Sequence, residues 1–339
     1  MTKRATMNDI ALAARVSQAT VSLVLNDVPN ARVSAETRTK VKDLALNLGY
    51  ALKGAARVID TRLIGLLIDD VSSTPFAAPF LEGAREEAAK HGIVVAMICT
   101  GADPAIEEAA LQMFQALGAQ GVLYASLVTR LVTPPARLQQ LPAILVNCHD
   151  RDHLQASVTP GDVMGAFAAT TALIAAGHRR IGHLPGETWG EAARDRLLGY
   201  RRALASQDII FDPTLVSGPA WTVASGREQM AALLALPQPP TAVFCFNDRV
   251  AMGAYDAIRA RNLRVPQDIS VIGFDNDDLA ADLQPPLSTI VLPHDEMARW
   301  AVSRLLERGP ARLAPVRIKI DCEPVWRGSI AAPPPTEAI

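Results

Sequence analysis

The sequence predicts an α/β protein in two parts: a small all-α unit at the N-terminus and a larger body built on parallel sheets. Three observations carry this. NDIALAARVSQATVSLVLND, residues 8 to 27, holds two short apolar-periodic segments broken by Arg15-Val16-Ser17, a helix, a turn and a helix. From residue 63, short continuous apolar runs alternate with helical patterns. After about residue 158 that alternation starts again.

At 339 residues the chain is too long for one ordinary core, and 49% hydrophobic with 20% charged residues describes a globular protein. No run of about 18 uncharged apolar residues predicts a membrane span. The start MTKRATMNDIA has charge but no apolar stretch or cleavage site, so no secretory signal is read and a cytoplasmic location is expected. Cys99, Cys148, Cys245 and Cys322 fit no zinc or disulfide spacing and are expected to be small buried side chains. Residues 1 to 62 carry ten basic and five acidic side chains, net +5, against −7 for the rest, which together make the chain's −2. A basic end on an acidic body fits a polyanion partner for that end, or an ordinary solvated face.

Helices of two turns are marginal alone, because nucleation costs more than a few hydrogen bonds return. They need a shared core. Thr6 is placed to cap the first, with Ile10, Ala11 and Ala14 turned inward; Ser17 is placed to cap the second, with Val21, Val24 and Leu25 inward. Gln18, Ala19, Ser22 and Leu23 then face outward, with Thr20 near the helix start. Small or uncharged residues suit a face pressed into a groove. A third helix opens at Ser34 and is expected to bury Val41, Leu44, Ala45 and Leu48, with Gly49 as a left-handed cap.

In the body, LIGLLID, IVVAMIC, GVLYA and AILVN read as buried strands, with FLEGAREEAAKHG and PAIEEAALQMFQALG as helices between them. The second half repeats this with RIGHLPG, TAVFCF and ISVIGFD, and with helices in DVMGAFAATTALIAAG, ARDRLLGYRRALAS and DRVAMGAYDAIRARN. Two such halves predict a ligand crevice between the carboxyl ends of their sheets.

The pattern T-M-N-D-I-A-x-x-A-x-V-S-x-x-T-V-S-x-x-L-N, then V-S-x-x-T-R and L-G-Y, resembles the headpiece of the lactose-repressor/galactose-repressor (LacI/GalR) family. The resemblance implies a helix-turn-helix whose second helix enters the major groove. Gln18, Ala19 and Leu23 would face base edges, and Thr6, Ser17, Thr20, Ser22, Asn26, Arg32, Ser34 and Thr37 would hold phosphates or position the unit. Two departures stand out. Arg15 occupies a turn position where the family usually has Gly, at a cost on the order of 1 kcal/mol if the backbone is left-handed. Leu23 stands where many relatives have Arg; it cannot donate to guanine and can only pack on apolar edges such as a thymine methyl. Ala56-Arg57-Val58-Ile59 matches a hinge helix whose last residue, here Ile59, wedges into the minor groove; the alternative is a plain linker. Leu52-Lys53 replaces the usual Pro-Asn.

A-x-x-R-D-R-x-x-G-Y-R-R-A-L, F-N-D-x-x-A-x-G, V-P-x-D-I-S-V-I-G-F-D and W-R-G-S extend the resemblance to about residue 330, implying a two-subdomain body like periplasmic sugar-binding proteins. Implied boundaries are a headpiece at 1–50, a hinge at 51–62, a body at 63–330 and a tail at 331–339. Within the body, an N-subdomain takes about 63–158 and 292–320, and a C-subdomain 159–291 and 321–330, with crossovers near 158–161, 288–292 and 320–324. Gly161-Asp162 replaces the usual Asp-Asn.

Six residues are expected to bind the ligand. Arg196 offers a planar fork for vicinal hydroxyls or a carboxylate. Asp275 accepts hydroxyl protons, Trp221 stacks on a sugar ring, Asn247 and Asn147 donate and accept at strand ends, and Phe76 closes the other side. Each has a structural alternative: helix caps for Asp275 and Asn247, core for Trp221, and a pair with Asp195 or a surface acid for Arg196. His149 and His294 are expected at the surface or hinge. No metal cluster, phosphate loop or nucleophile with a base is found, so no cofactor and no catalysis are expected. IAAPPPTEAI carries no leucine heptads, so the tetramer-forming tail of some relatives is not expected. The expectation is a homodimeric repressor of pseudo-palindromic operator DNA, controlled by a small effector, a sugar or sugar derivative, with no membrane partner. The alternative is a sugar-binding protein without regulatory DNA binding.

Overall fold

The first helix, α1 (Met7–Ala14), starts where Thr6 accepts from the Asp9 N–H and the Asp9 carboxylate accepts from the Thr6 N–H, a reciprocal cap. It ends at Arg15, whose φ of 59° and ψ of 46° lie in the left-handed region. Ser17 accepts from the Thr20 N–H at 3.1 Å and opens α2 (Gln18–Leu25). Ser34 accepts from the Thr37 N–H at 3.2 Å and opens α3 (Ala35–Asn47). The three share one core of Ile10, Ala11, Ala14, Val21, Val24, Val41 and Ala45. One expectation fails here: Leu48 is 42% exposed, because α3 stops at Asn47 and Leu48 falls beyond its last turn. In this computed structural model the described residues are 6–25, 28, 33–48, 50, 62–72, 76–307 and 315–335; Gly49, Asn26, Arg32, Leu52, Lys53 and the Ala56–Ile59 segment lie outside them.

The chain divides into two compact units, residues 1–61 and 62–339. The second holds β1 (Arg62–Ile68), α4 (Ala77–Ala89), β2 (Ile93–Cys99), α5 (Pro104–Ala116), β3 (Gly121–Val132), β4 (Ala143–Asp150) and β5 (Ala156–Pro160). These strands and β10 (Arg317–Ile320) form a parallel sheet in the order β10-β5-β4-β3-β1-β2. On one face, α4 and α11 (His294–Glu307) bury Phe80, Met297 and Val302; on the other, α5 buries Leu111 and Phe114. Cys99 is exposed, contrary to expectation, since it closes the edge strand β2.

The next elements are α6 (Asp162–Ala175), β6 (Ile181–Leu184), α7 (Glu191–Ala205), α8 (Val223–Leu234), β7 (Ala242–Cys245), α9 (Asp248–Ala260) and β8 (Ser270–Ile272). After α10 (Leu279–Asp282) comes β9 (Thr289–Ile290), which pairs antiparallel with β11 (Pro324–Val325). A parallel sheet in the order β6-β7-β8 has its own two cores, one against α8 and α9 and one against α6 and α7. The chain thus passes from the first sheet to the second layer set after β5, returns before α11, and leaves again after β10.

Candidate functional site

On the small unit, Gln18, Ala19 and Leu23 are exposed and Thr20 and Ser22 half-buried, all on α2. Thr6, Ser17 and Ser34 are the caps of three helices. The Ser17 and Thr20 hydroxyls are 2.8 Å apart, as are those of Ser34 and Thr37. The hydroxyls at the starts of α2 and α3 form an arrangement suited to phosphate oxygens, whereas at α1 the Thr6 hydroxyl and N–H both donate to the Asp9 carboxylate.

In the body, Phe76, Asn147, Arg196, Trp221, Asn247 and Asp275 come together around one cavity. They arrive from six places: the start of α4, the carboxyl half of β4, α7, the segment before α8, and the carboxyl ends of β7 and of β8. Leu127, Val128, Thr129, Ala192, Phe246, Arg249 and Leu292 complete the lining.

Arg196 is 2% exposed and does not pair with Asp195. Its Nε donates to Asp162 at 2.8 Å, and its Nη1 donates to the Phe246 carbonyl at 2.6 Å and to Asp275 at 3.3 Å. The guanidinium lies over two rings, 3.6 Å from the Phe274 centroid and 4.6 Å from that of Phe246. Among the described residues no acceptor takes a bond from Nη2, which leaves that edge for a ligand. One guanidinium faces two buried carboxyls. Burial pushes the Asp275 carboxyl up to about 7, with Arg196 pulling it down and Asp162 adding to the rise. Asp275, at the longer contact and with φ at 105°, is the looser of the two acids.

Asn247 does cap α9: its Oδ1 accepts from the Val250 N–H at 2.8 Å, while Nδ2 donates to the Trp221 carbonyl at 3.3 Å. Capping and lining are the same role, since the cap fixes the amide at the cavity wall and holds the Trp221 segment. Asn147 staples a bulge. β3 and β4 pair through Ala125 and Val146, then resume at Arg130 and Cys148, so residues 126–129 stand opposite Asn147 alone. Its Nδ2 donates to the carbonyls of Ser126 and Leu127, and its Oδ1 accepts from the Thr129 hydroxyl at 2.6 Å. Both amide hydrogens are therefore used within the wall, and Asn147 shapes the cavity by pushing Leu127, Val128 and Thr129 into it. Asp69 ties the same bulge from β1, accepting from Leu127 N–H, Ser126 Oγ and Arg130 Nη2.

Trp221 packs on Phe246, with centroids 5.2 Å apart, and stands 6.3 Å from Trp189. His294 is buried beneath Phe76 and Phe80 and does not line this cavity; burial pushes it down to about 3, so it is neutral. His149 hydrogen-bonds the Glu191 carboxylate at 2.9 Å, from the end of β4 to the start of α7. The bulge residues went unread because LYASLVTR shows unbroken strand character; Phe246 was adjacent to a chosen residue and carried no polar signal.

Residues 6–51 match the family model described as bacterial regulatory proteins, lacI family, and residues 170–330 match the periplasmic binding protein-like domain. The ribose operon repressor of Haemophilus influenzae is 35% identical over 307 residues, covering 90% of this chain and 92% of the relative. The HTH-type transcriptional repressor CytR of Escherichia coli strain K12 is 34% identical, covering 97% of each. Among solved structures, a lac repressor dimer bound to operator and an anti-inducer is similar at 26% identity and TM-score 0.64, covering 97% of this chain and all of that one.

Proposed function

Because the chain belongs to the lacI family of bacterial regulatory proteins, DNA-binding transcriptional regulators with a ligand-binding body, we propose that it is a homodimeric repressor whose operator affinity is set by a small hydroxylated effector in the body cavity. The observation that carries this is the Arg196–Asp275 pair at one cavity with Asn247, Trp221 and Phe76. A fork, an acceptor, an amide and aromatic faces are what a hydroxyl-rich ring needs. The ribose operon repressor and the operator-bound dimer among the similar proteins support a sugar-containing ligand and a two-fold assembly, and a cytoplasmic location belongs to the same reading.

On DNA, the outer face of α2 is read as the base-contacting surface, with Leu23 favouring thymine over guanine. The capped starts of α2 and α3 take phosphates, and Ile59 is assigned the wedge at the central minor-groove step. The effector acts by binding one arrangement of the two halves better than the other, since only such a difference shifts an equilibrium. Couplings of this kind are about 1–3 kcal/mol.

Calorimetry against sugars and nucleosides, with gel mobility on genomic fragments, tests this. The expected result is a ligand whose heat of binding and whose effect on operator mobility both vanish in Asp275→Ala. Unchanged ligand affinity in Asp275→Ala and in Arg196→Ala would move the site elsewhere.

A further inference from the structure

The groups around the cavity are sorted by strand. The sheet order β6-β7-β8 sets Asp275 at the end of β8, Phe246 and Asn247 at the end of β7, and Trp189 beyond the end of β6. Val216 bridges His183 on the outer side of β6, and Ala220 donates to the Pro185 carbonyl at 2.8 Å, so Trp221 also belongs to the β6 side. Two strand spacings are about 10 Å. One sugar ring, held by Asp275 and Arg196, covers only part of that span.

The two ends differ in chemistry. Hydrogen-bonding groups stand over β7 and β8. From the β6 side, the described lining supplies the indole of Trp221 and no carboxylate, amide or hydroxyl. Just outside, Trp189 is 62% exposed, its ring within 28° of parallel to that of Trp221. A large ring left in water beside a ligand cavity, aligned with a second ring, is a stacking surface without its occupant. A second sugar there would bring hydroxyls that find few partners. A flat ring would find two π faces.

We propose that Trp189 and Trp221 form a second subsite for a planar heteroaromatic ring joined to the hydroxylated ring at Asp275 and Arg196, so that the effector is nucleoside-like. This rests on the reading of the cavity as the effector site. The glycosidic bond would then cross over β7, past Phe246.

The experiment is calorimetry on the full chain with adenosine, guanosine, cytidine and uridine, with D-ribose as the single ring and cellobiose as a two-ring compound lacking a flat ring. At least one nucleoside should bind about tenfold or more tightly than D-ribose, from stacking of its base. Trp189→Ala should remove most of that advantage and Trp189→Phe should restore it, and the nucleoside should quench tryptophan emission less in Trp189→Phe than in the native chain. D-ribose or cellobiose binding more tightly than every nucleoside, no nucleoside binding, or an advantage unaltered in Trp189→Ala would each overturn the proposal. Asp275→Ala separates the two readings: if it abolishes nucleoside binding while Trp189→Ala changes nothing, the second subsite alone is wrong; if it changes nothing, the cavity reading falls as well.

Discussion

A guanidinium between two ionised carboxylates leaves one net negative charge among buried side chains at the cavity wall, and burial of an unbalanced charge is expensive. Burial raises both carboxyls, Asp275 at 3.3 Å from Arg196 to about 7 and Asp162 at 2.8 Å in the same direction, so the charge of the group changes with pH near neutrality. A carboxyl raised to about 7 in the folded chain binds a proton that the unfolded chain releases near pH 4. Its stabilising effect is therefore present below about pH 4 and is lost as pH rises towards 7, up to about 4 kcal/mol. His183 and His294, pushed down to about 4 and about 3 by burial, oppose this, because the unfolded chain takes up their protons below about pH 6.5. The native profile mixes the two. The difference between Asp275→Asn and the native chain isolates the carboxyl: urea unfolding at pH 5, 6, 7 and 8 should show the variant gaining on the native chain as pH rises. A difference constant with pH would put the proton elsewhere.

Helices α8 and α9 meet through glycine on both sides. A Cβ on Gly253 would lie 2.1 Å from the Val223 carbonyl oxygen, and one on Gly226 would lie 2.4 Å from that of Val250. Backbone atoms cannot yield as side chains do, so Gly253→Ala should destabilise the body by about 1–3 kcal/mol, seen as an earlier urea midpoint with the slope unchanged. An unaltered midpoint would mean the helices separate freely. The same glycine explains an element that the sequence hid: Gly226, Arg227, Glu228 and Gln229 interrupt the apolar period of VASGREQMAALL, so α8 has no clear stripe. Strands β1, β3, β4 and β7 were legible because both faces of their sheets are covered and they read as unbroken apolar runs. Arg15 was legible through the resemblance alone, which puts it where the family usually has glycine, and its φ of 59° is the left-handed backbone that position implied. Asn147, Asn247 and Asp275 were legible as polar side chains at or just beyond strands, whereas Arg196 on α7, Trp221 before α8 and Phe76 before α4 were legible only through the resemblance and the chemistry of their side chains. The bulge opposite Asn147 was not, because it depends on pairing between β3 and β4, and neither strand's own pattern records its register. Trp189 was missed for a related reason: an aromatic residue in a Gly-flanked loop acquires meaning only from Trp221, 32 residues away in the chain.

At the scale of the whole molecule the basic N-terminal segment and the acidic body differ in sign of charge, so the salt dependence of operator binding is expected to reside in the first. A single headpiece of three short helices offers little contact area, and specific binding by such units comes from pairing two of them on a two-fold site. A surface for pairing is visible on the body. Val94 of β2 shares with Ala96 and Ile98 the sheet face on which α5 packs, and α5 with its C-cap Leu117 turns Ile106, Met113 and Leu117 outward, so these four apolar side chains are exposed around an edge strand. Seven and four residues apart, Ile106 and Met113 on α5 and Leu117 at its C-cap form one stripe. Covering it with the same stripe of a second copy is the self-complementary contact of a two-fold dimer. Met113→Asp sets a charge in the middle of that stripe and, across the axis, two like charges near one another. The variant should sediment as a monomer at concentrations where the native chain is a dimer. Its operator affinity should fall by about 10²–10⁴-fold, the usual loss when two linked half-site contacts become independent, while its affinity for the effector identified by calorimetry should change little, the cavity lying within one chain. A Met113→Asp dimer with native operator affinity would assign the pairing to another face.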